Sequence, residues 1–384
     1  MRNIVTGLDI GTAAIRVVVA EWKRGNQTPQ VLALVKKNSR GLRRGYVANA
    51  EEAAEAISEA LREAEKATKL RLKQAFIGLS GVTLTSKVAE GSTAVARGDM
   101  EIGDLDISRA LDAAEASLSD KDNNEVIHRF PISFKLDGKK VTGRPEGLKG
   151  NKLEVRGAFI TYSKQHLKDL TQVLEASGLR VSPEDFVASP LASSLVLLSK
   201  VQKTAGVIMT NIGAQTTSLA VFEEGLPVSM QVIPLGSTDI TNDIALGFKV
   251  NLEEAEQIKR GEMEAPGTKK KLDEVVEARL LDIFQLIEAH LKKIGRSGLL
   301  PAGIVLSGGG ASVHGLEALA RDYFKLPARN ADSSLAAASK NQIKDSAWAV
   351  AYGLTYFYDP EMSESGRGGS TLQTIKKYLK ELLP

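Results

Sequence analysis

Two segments of the sequence, far apart in the chain, repeat one short pattern. Residues 7–25 read GLDIGTAAIRVVVAEWKRG and residues 207–225 read VIMTNIGAQTTSLAVFEEG. In each segment a strand ends in Ile-Gly, a four-residue turn of mostly small or polar residues follows, and a second strand returns. An internal repeat of this kind favours an architecture built from two copies of one unit.

The turns of this repeat have the composition of phosphate-binding loops. A hairpin turn rich in glycine, threonine and alanine points several N–H groups into one concavity, which suits phosphate oxygens. Asp9, at the end of the first strand, is a candidate to hold Mg²⁺ through water. A third cluster, Ser307–Gly310, lies between a predicted strand and a helix, where backbone can approach a base or ribose. The chain has neither a P-loop nor a GxGxxG motif after a strand.

Length and composition limit the kinds of protein that this chain can be. With 384 residues the chain is too long for one core, so two or more domains are expected. A net charge of +3 with interleaved acids and bases argues against nucleic acid as the main ligand. The sequence has no cysteine, its four histidines lie apart, and no stretch of 18 apolar residues occurs. The N-terminus leads directly into a strand, which predicts no signal peptide.

Other elements can be placed between these landmarks. A strong helix begins near Asn49, and residues 80–165 have the texture of a small inserted α+β unit. Helices are predicted at 164–177 and 190–201, with a short strand near 180–187 between them. Helices dominate 238–294, a strand, turn and helix cover 303–321, and a last helix covers 345–357.

The C-terminus ends in a short basic amphipathic segment after a glycine-rich linker at 360–369. If residues 370–384 form a helix, its apolar residues share one face and its lysines lie on or beside the other. From this segment alone, a helix that docks on the core and a helix that lies on a membrane are both open. The candidate membrane residues are Leu372, Ile375, Lys376, Lys377, Leu379, Lys380, Leu382 and Leu383.

Several longer motifs resemble the FtsA family of bacterial cell division proteins, within the actin, sugar-kinase and heat-shock chaperone ATPase superfamily. They cover nearly the whole chain and include GLDIGT, SRGLRRGYVANAEEA, ASPLASSLVLL, IPLGSTDITNDIALGFKVNLEEAEQIK, IVLSGGGASVHGLEALA and AVAYGLTYF. The resemblance implies an α/β actin-like fold of two duplicated RNase H-like domains, with an inserted α+β subdomain and a C-terminal amphipathic helix that binds membrane.

The implied domain organisation follows from the same resemblance. The first actin-like domain would comprise 1–79, 166–202 and a closing helix at 346–359, with the inserted subdomain at 80–165. The second would comprise 203–240 and 296–345, with a helical subdomain at 241–295. The linker at 360–369 and the membrane-targeting helix at 370–384 would complete the chain.

The resemblance also implies which residues bind ATP or ADP with Mg²⁺. The first phosphate loop would use Asp9, Gly11, Thr12, Ala13 and Arg16, with Asp9 holding Mg²⁺ through water. The remaining implied nucleotide residues are Asn211, Gly213, Thr216, Thr217, Gly236, Ser237, Glu256, Lys259, Gly308, Gly309 and Gly310. On spacing alone, Glu256 and Lys259 are equally consistent with an exposed helix pair.

The sequence departs from hydrolysing relatives at two carboxylate positions. Asn211 stands where an Asp precedes Ile-Gly, and Ser189 stands where a Glu precedes the proline of the connecting helix. Ala14 replaces a lysine that is frequent in the first loop. We therefore expect binding with slow hydrolysis or none, and no confident catalytic residue, unless another acid compensates.

The implied role is a filament-forming peripheral membrane protein that tethers FtsZ at the division site. The resemblance implies that the helical region near 240–295 binds the C-terminal peptide of FtsZ, that the inserted subdomain contacts the next subunit and other division proteins, and that the tail binds anionic lipid. A pilus assembly protein of the PilM kind and a small-molecule kinase share the fold and are the alternatives.

Overall fold

A computed structural model describes residues 3–23, 25–96 and 98–358. In this part of the chain the strands form two large sheets and a small hairpin. The first sheet has five strands in the order β11-β6-β1-β2-β3. These strands are β1 (Asn3–Ile10), β2 (Ala14–Trp22), β3 (Gln30–Asn38), β6 (Phe76–Leu79) and β11 (Phe186–Ala188). The hairpin pairs β4 (Leu42–Arg43) with β5 (Tyr46–Val47).

The second sheet has nine strands in the order β16-β15-β12-β13-β14-β7-β10-β8-β9. Its members are β7 (Thr85–Ala94), β8 (Asn124–Leu136), β9 (Lys139–Val141), β10 (Lys152–Ser163), β12 (Val207–Ile212), β13 (Thr217–Glu223), β14 (Leu226–Ile233), β15 (Ile304–Ser307) and β16 (Ala328–Asn330). Strands β7 to β10 belong to the inserted segment and join the others where Thr85 of β7 pairs with Gln231 of β14.

The helices of the described chain cover the faces of these sheets. They are α1 (Ala50–Thr68), α2 (Asp104–Ala116), α3 (Lys164–Ala176), α4 (Ser189–Leu197), α5 (Lys200–Ala205), α6 (Ser237–Phe248), α7 (Leu252–Arg260), α8 (Lys269–Lys293), α9 (Leu316–Phe324), α10 (Asp332–Ala338) and α11 (Ala349–Leu354). Asn49 begins α1 as its N-cap, because its side-chain oxygen accepts hydrogen bonds from the N–H groups of Glu51 and Glu52.

The buried apolar side chains of the described residues fall into three clusters. One joins the first sheet to α1, α3, α4 and α11, and a second joins one face of β12 and β13 to α6, α7, α8 and α9. A third, smaller cluster lies between α2 and the strands of the inserted segment. Along β12 the alternate residues serve different clusters: Met209 packs toward α4, and Ile208 packs toward the helices on the other face.

The repeated sequence pattern folds into two hairpins of the same register. In the first, Ile10 pairs with Ile15, and the N–H of Gly11 donates to the carbonyl of Ala14 at 3.1 Å. In the second, Ile212 pairs with Thr217, and the N–H of Gly213 donates to the carbonyl of Thr216 at 2.8 Å. The prediction of a matched strand, turn and returning strand is confirmed by this shared geometry.

The prediction of one helix over 190–201 is wrong. The chain forms α4 and α5 instead, because Leu198 is extended and Ser199 starts a new helix. The Ser199 side chain accepts from the N–H of Gln202, and the Gln202 side chain accepts from the N–H of Ser199. This reciprocal capping box satisfies N–H groups that a continuous helix would have paired internally.

Two other predicted elements differ in extent. The strand expected near 180–187 is confined to β11, because Pro183 opens a short 3-10 turn over Pro183–Asp185. The last helix, expected over 345–357, is α-helical only over α11 and has a 3-10 turn on each side.

The predicted linker at 360–369 and the tail residues Leu372, Ile375, Lys376, Lys377, Leu379, Lys380, Leu382 and Leu383 lie outside the described residues. Within residues 3–23, 25–96 and 98–358, no helix has the length and apolar character needed to cross a bilayer.

Candidate functional site

The first turn lies at the end of β1, where Asp9 and Arg16 are cross-strand partners. Asp9 is buried, and the Nη1 of Arg16 lies 3.7 Å from its Oδ2. Burial raises the pKa of Asp9 to about 6, and the positive charge of Arg16 opposes that rise only in part. The Arg16 guanidinium also lies 6.0 Å from the ring centre of Trp348, and its Nε is buried without a hydrogen-bond partner. An unpartnered guanidinium N–H beside a phosphate-type turn fits an anionic ligand.

The rest of the first turn is accessible. Gly11 and Thr12 are half-buried and Ala13 is exposed, so the backbone between the two strands faces solvent. The hydroxyl oxygen of Thr12 accepts a hydrogen bond from the N–H of Gly45 at 3.1 Å, which fixes the turn to the β4–β5 hairpin.

The second turn is held by the N-terminus of α6. The N–H of Ser237 donates to the carbonyl of Gly213 at 2.9 Å, and that of Thr238 donates to Ala214 at 2.7 Å. These helix N–H groups are therefore already paired with the turn. Thr217 is fully buried and its hydroxyl donates to the carbonyl of Leu235, so in this structure Thr217 supports the turn from behind.

Glu256 and Lys259 of α7 form a half-buried network. Lys259 Nζ donates to the Ser237 carbonyl at 3.1 Å, to Thr241 Oγ1 at 2.8 Å and to Glu256 Oε2 at 2.6 Å. Desolvation lowers the pKa of Lys259. Burial opposes ionisation of Glu256, yet hydrogen bonds from Lys259 and Thr241 leave its pKa below the usual value. The pair is therefore joined to the second turn through Ser237, and it is not an exposed pair on the helix surface.

The third glycine cluster packs against the end of β12. A Cβ at Gly308 would lie 2.2 Å from Oδ1 of Asn211, and one at Gly310 would lie 2.5 Å from Cγ2 of Ile212. Both positions accept only glycine without a shift of their neighbours. Gly309 between them is exposed, and a Cβ there would meet no atom within 4 Å. The cluster thus presents one open backbone position beside Asn211.

These contacts bring the site residues together in two groups. Asn211, Gly213, Thr216, Gly236, Ser237, Glu256, Lys259 and Gly308–Gly310 surround the end of β12 and form the second group. Asp9, Gly11, Thr12, Ala13 and Arg16 form the first group, at the end of β1. The β4–β5 hairpin touches both groups through Thr12 and Gln215. No sequence pattern marks Gln215, Arg44 or Gly45 as site residues.

The two positions that lack a carboxylate also have defined surroundings. Ser189, the first residue of α4, is buried with its Oγ unpartnered, beside Gly78 in the strand next to β1. Asn211 faces Gly308. Residues 3–23, 25–96 and 98–358 contain no group of three His, Asp or Glu side chains placed to hold a metal ion.

Comparisons with known proteins agree on one family. The family model of the cell division protein FtsA matches residues 208–353, and that of the SHS2 domain inserted in FtsA matches 81–161. The chain is 32% identical to cell division protein FtsA of Pseudomonas aeruginosa over 85% of this chain and 82% of that protein. It is 30% identical to cell division protein FtsA of Bacillus subtilis over 92% of this chain and 83% of that protein.

Solved structures show the same fold. A PilM–PilN type IV pilus biogenesis complex matches with a TM-score of 0.65 at 21% identity, covering 91% of this chain and 97% of the matched chain. MreB5 of Spiroplasma citri bound to ADP matches with a TM-score of 0.55 at 14% identity, covering 95% and 99%. The predicted actin-like fold with its inserted subdomain is therefore confirmed, and the chain belongs to the FtsA family of cell division proteins.

Proposed function

We propose that this chain binds ATP or ADP with Mg²⁺, assembles into filaments and tethers FtsZ to the cytoplasmic face of the membrane at the division site. The observation that carries the proposal is the pair of hairpin turns with identical register, one beside Arg16 and one beside the open Gly309. This arrangement offers a phosphate-binding turn from each half of the molecule and an exposed backbone position for the nucleoside. The family's role in division agrees with it.

Each part of the site has a proposed task. The N–H groups of the two turns and Arg16 bind the phosphates, Gly309 and the α7 pair adjoin the ribose and base, and Asp9 holds a water ligand of Mg²⁺. The cation would neutralise phosphate charge. Asn211 and Ser189 cannot accept a proton from water as a carboxylate would, so we expect hydrolysis to be slow or absent.

Asp9→Asn should remove most of the Mg²⁺ dependence of nucleotide binding. The pKa of Asp9 is raised to about 6 by burial, so the carboxylate that holds the cation is present at pH 7.5 and is lost as the pH falls through 6. We expect Mg²⁺ to strengthen binding by the wild-type chain about tenfold at pH 7.5 and much less at pH 5. Titration of a fluorescent ADP analogue with and without Mg²⁺ measures this, and an equal Mg²⁺ effect in both proteins would contradict it.

The same substitution has an opposite effect on stability. Because the folded pKa of Asp9 lies above its unfolded value, its contribution to stability is present at low pH and is lost as the pH rises through 6. Nucleotide-free Asp9→Asn should therefore melt at or above the temperature of the wild-type chain at pH 7.5. A variant that binds nucleotide more weakly and also melts at a lower temperature would indicate misfolding instead of a lost metal ligand.

Exposed apolar side chains support the proposed protein contacts. In the helical region, Leu246 and Leu252 are 78% and 59% exposed on either side of the short connection from α6 to α7, which suits binding of an FtsZ peptide. Within the inserted segment, Met100, Leu105 and Leu148 are exposed near the backbone β-bridge that pairs Glu101 with Lys149. These apolar side chains suit contact with the next subunit or another division protein.

The C-terminal segment supplies the proposed membrane contact. Its basic residues favour anionic lipid, at about 1 kcal/mol for each net charge near the surface. Five apolar side chains on an interfacial helix offset the cost of folding it only in part, so one tail should bind weakly. Filaments that carry many tails would bind by avidity.

A chain ending at Arg367 should lose binding to anionic liposomes. We expect full-length protein with nucleotide to co-sediment with vesicles, and the shortened chain to remain in the supernatant while still binding nucleotide and the FtsZ C-terminal peptide. Neutral vesicles are the control for charge. Equal sedimentation of both chains would refute the anchor, and failure of both to bind the peptide would refute the FtsZ tether.

A further inference from the structure

The β4–β5 hairpin makes hydrogen bonds to both turns of the proposed nucleotide site through two consecutive N–H groups. The N–H of Arg44 donates to Oε1 of Gln215 in the second turn at 2.9 Å, and the N–H of Gly45 donates to Oγ1 of Thr12 in the first turn at 3.1 Å. Thr12 is in the same half of the molecule as the hairpin. Gln215 is in the turn between β12 and β13 of the other half, so its hydrogen bond joins the two halves at a boundary that we call the cleft.

The geometry of the hairpin explains how one turn serves two partners. Arg43 pairs with Tyr46, and Arg44 and Gly45 between them have φ values of 50° and 81°. These values are those of a two-residue type I′ turn. The left-handed conformation costs free energy for Arg44, which has a Cβ.

The hairpin is held by the loop that leads from β6 into the inserted segment and by α3 of the first half. A Cβ at Gly45 would lie 2.7 Å from Cα of Gly81, so the two backbones touch. The hydroxyl of Tyr46 accepts from the N–H of Thr83, and its ring stacks on His166 with centroids 3.8 Å apart. The hairpin therefore has contacts other than Gln215 that hold it in place.

The internal repeat shows that Gln215 is not needed to form its turn. The two turns align residue for residue, Gly11 with Gly213 and Ala13 with Gln215. Both turns close with the same glycine hydrogen bond, although Ala13 has no polar side chain. The long amide of Gln215 is thus free to act outside its own hairpin.

We propose that Gln215 is a positioning residue of the nucleotide site, which closes the cleft by binding the Arg44 N–H. This inference rests on the proposed function only for its effect on nucleotide affinity. A hydrogen bond that exists only in the closed form raises the population of that form about 2- to 10-fold. The two phosphate-binding turns are then already at their working separation when the ligand binds.

Amide hydrogen exchange of the full-length, nucleotide-free protein tests the hydrogen bond directly. The Arg44 N–H should be protected in the wild-type chain and exchange at least about fivefold faster in Gln215→Ala, while the Gly45 N–H remains protected. Thr12→Val is the matched control: it should expose the Gly45 N–H and leave Arg44 protected. Gln215→Glu keeps an acceptor oxygen and should restore protection of Arg44.

Cleft width is the second readout. Because the chain has no cysteine, Lys66→Cys in α1 and Lys270→Cys in α8 place two spin labels on exposed positions of opposite halves. Without nucleotide, we expect one narrow distribution of the distance between the labels in the chain that keeps Gln215. In Gln215→Ala we expect an additional population at longer distance. An unchanged distribution, or rapid exchange of the Arg44 N–H in the wild-type chain, would overturn the proposal.

Nucleotide titration of the same variants separates this inference from the proposed function. Gln215→Ala should bind ADP about 2- to 10-fold more weakly than the wild-type chain. Gln215→Glu should also bind ADP weakly, although its cleft stays closed, because the negative charge of the glutamate repels phosphate. If no protein in the series binds nucleotide, the proposed function fails and the exchange result still decides the role of Gln215. If affinity is unchanged in Gln215→Ala, the positioning role is refuted.

Discussion

Gly309→Val should weaken nucleotide binding at least about tenfold without a measurable loss of stability. Gly309 is exposed between two buried glycines, and the space around its missing Cβ is empty. In the proposed function that space accommodates the ribose and base, so a branched side chain would occupy it. Equilibrium binding of a fluorescent nucleotide and thermal melting of the free protein measure the two effects separately.

Gly98→Val is the matched control for this substitution. Gly98, in the inserted segment, also has an ordinary φ value and no atom within 4 Å of a Cβ. It should change neither nucleotide affinity nor the melting temperature. Gly310→Ala should behave differently from both, because its Cβ would lie 2.5 Å from the Ile212 side chain and displace the end of β12. Unchanged affinity in Gly309→Val would place the nucleoside elsewhere.

Gly353→Ala should lower the melting temperature by about 5–10 °C, whereas the same substitution at Gly247 should raise it slightly. Both glycines are the penultimate residue of a helix, Gly353 in α11 and Gly247 in α6. A Cβ at Gly353 would lie 2.0 Å from the Ala192 carbonyl oxygen, so α11 and α4 would have to separate. Overpacking costs about 1–3 kcal/mol and occasionally more, and this contact with backbone should lie at the upper end.

Gly247 has room for a methyl group. A Cβ there would meet only Cγ2 of Val275, at an ordinary 3.5 Å. Alanine should therefore contribute its better helix propensity, about 0.5–1 kcal/mol. Differential scanning calorimetry measures the change in melting temperature of each variant, which should be negative for Gly353→Ala and positive for Gly247→Ala. A stabilised Gly353→Ala would show that the contact between α4 and α11 tolerates a side chain, contrary to the structure.

The local features of the site could be predicted from the sequence because they depend on neighbouring residues. The Ile-Gly turn closes on itself through a hydrogen bond between residues three apart, so Gly11 and Gly213 reveal it directly. The Ser307–Gly310 cluster is visible for the same reason. The strand, turn and returning strand predicted around Gly11 and around Gly213 agree with the structure.

The contacts that join these elements could not be predicted in the same way. Gln215 and Arg44 are far apart in sequence, and neither residue type marks a site. Strand β14, with sequence LPVSMQVI, is buried on both faces, so it lacks the alternation by which half-exposed strands are recognised. The break between α4 and α5 has a different origin, because its signal is local: Ser199 and Gln202 cap each other within an otherwise continuous helical pattern that outweighs them.

The junction between β14 and β7 has a consequence for shortened forms of the chain. Strand β14 has β13 on one side, and on the other it pairs at Gln231 with Thr85, while its Met230 N–H donates to the Ser86 side chain. Removing the inserted segment would leave that side of β14 as a bare edge of Leu, Val, Met and Ile. Unpaired edges of this composition recruit other strands. A deletion made to remove partner binding would thus create an adhesive surface. Aggregation of the shortened protein would then result from the exposed edge of β14 and would give no information about its partners.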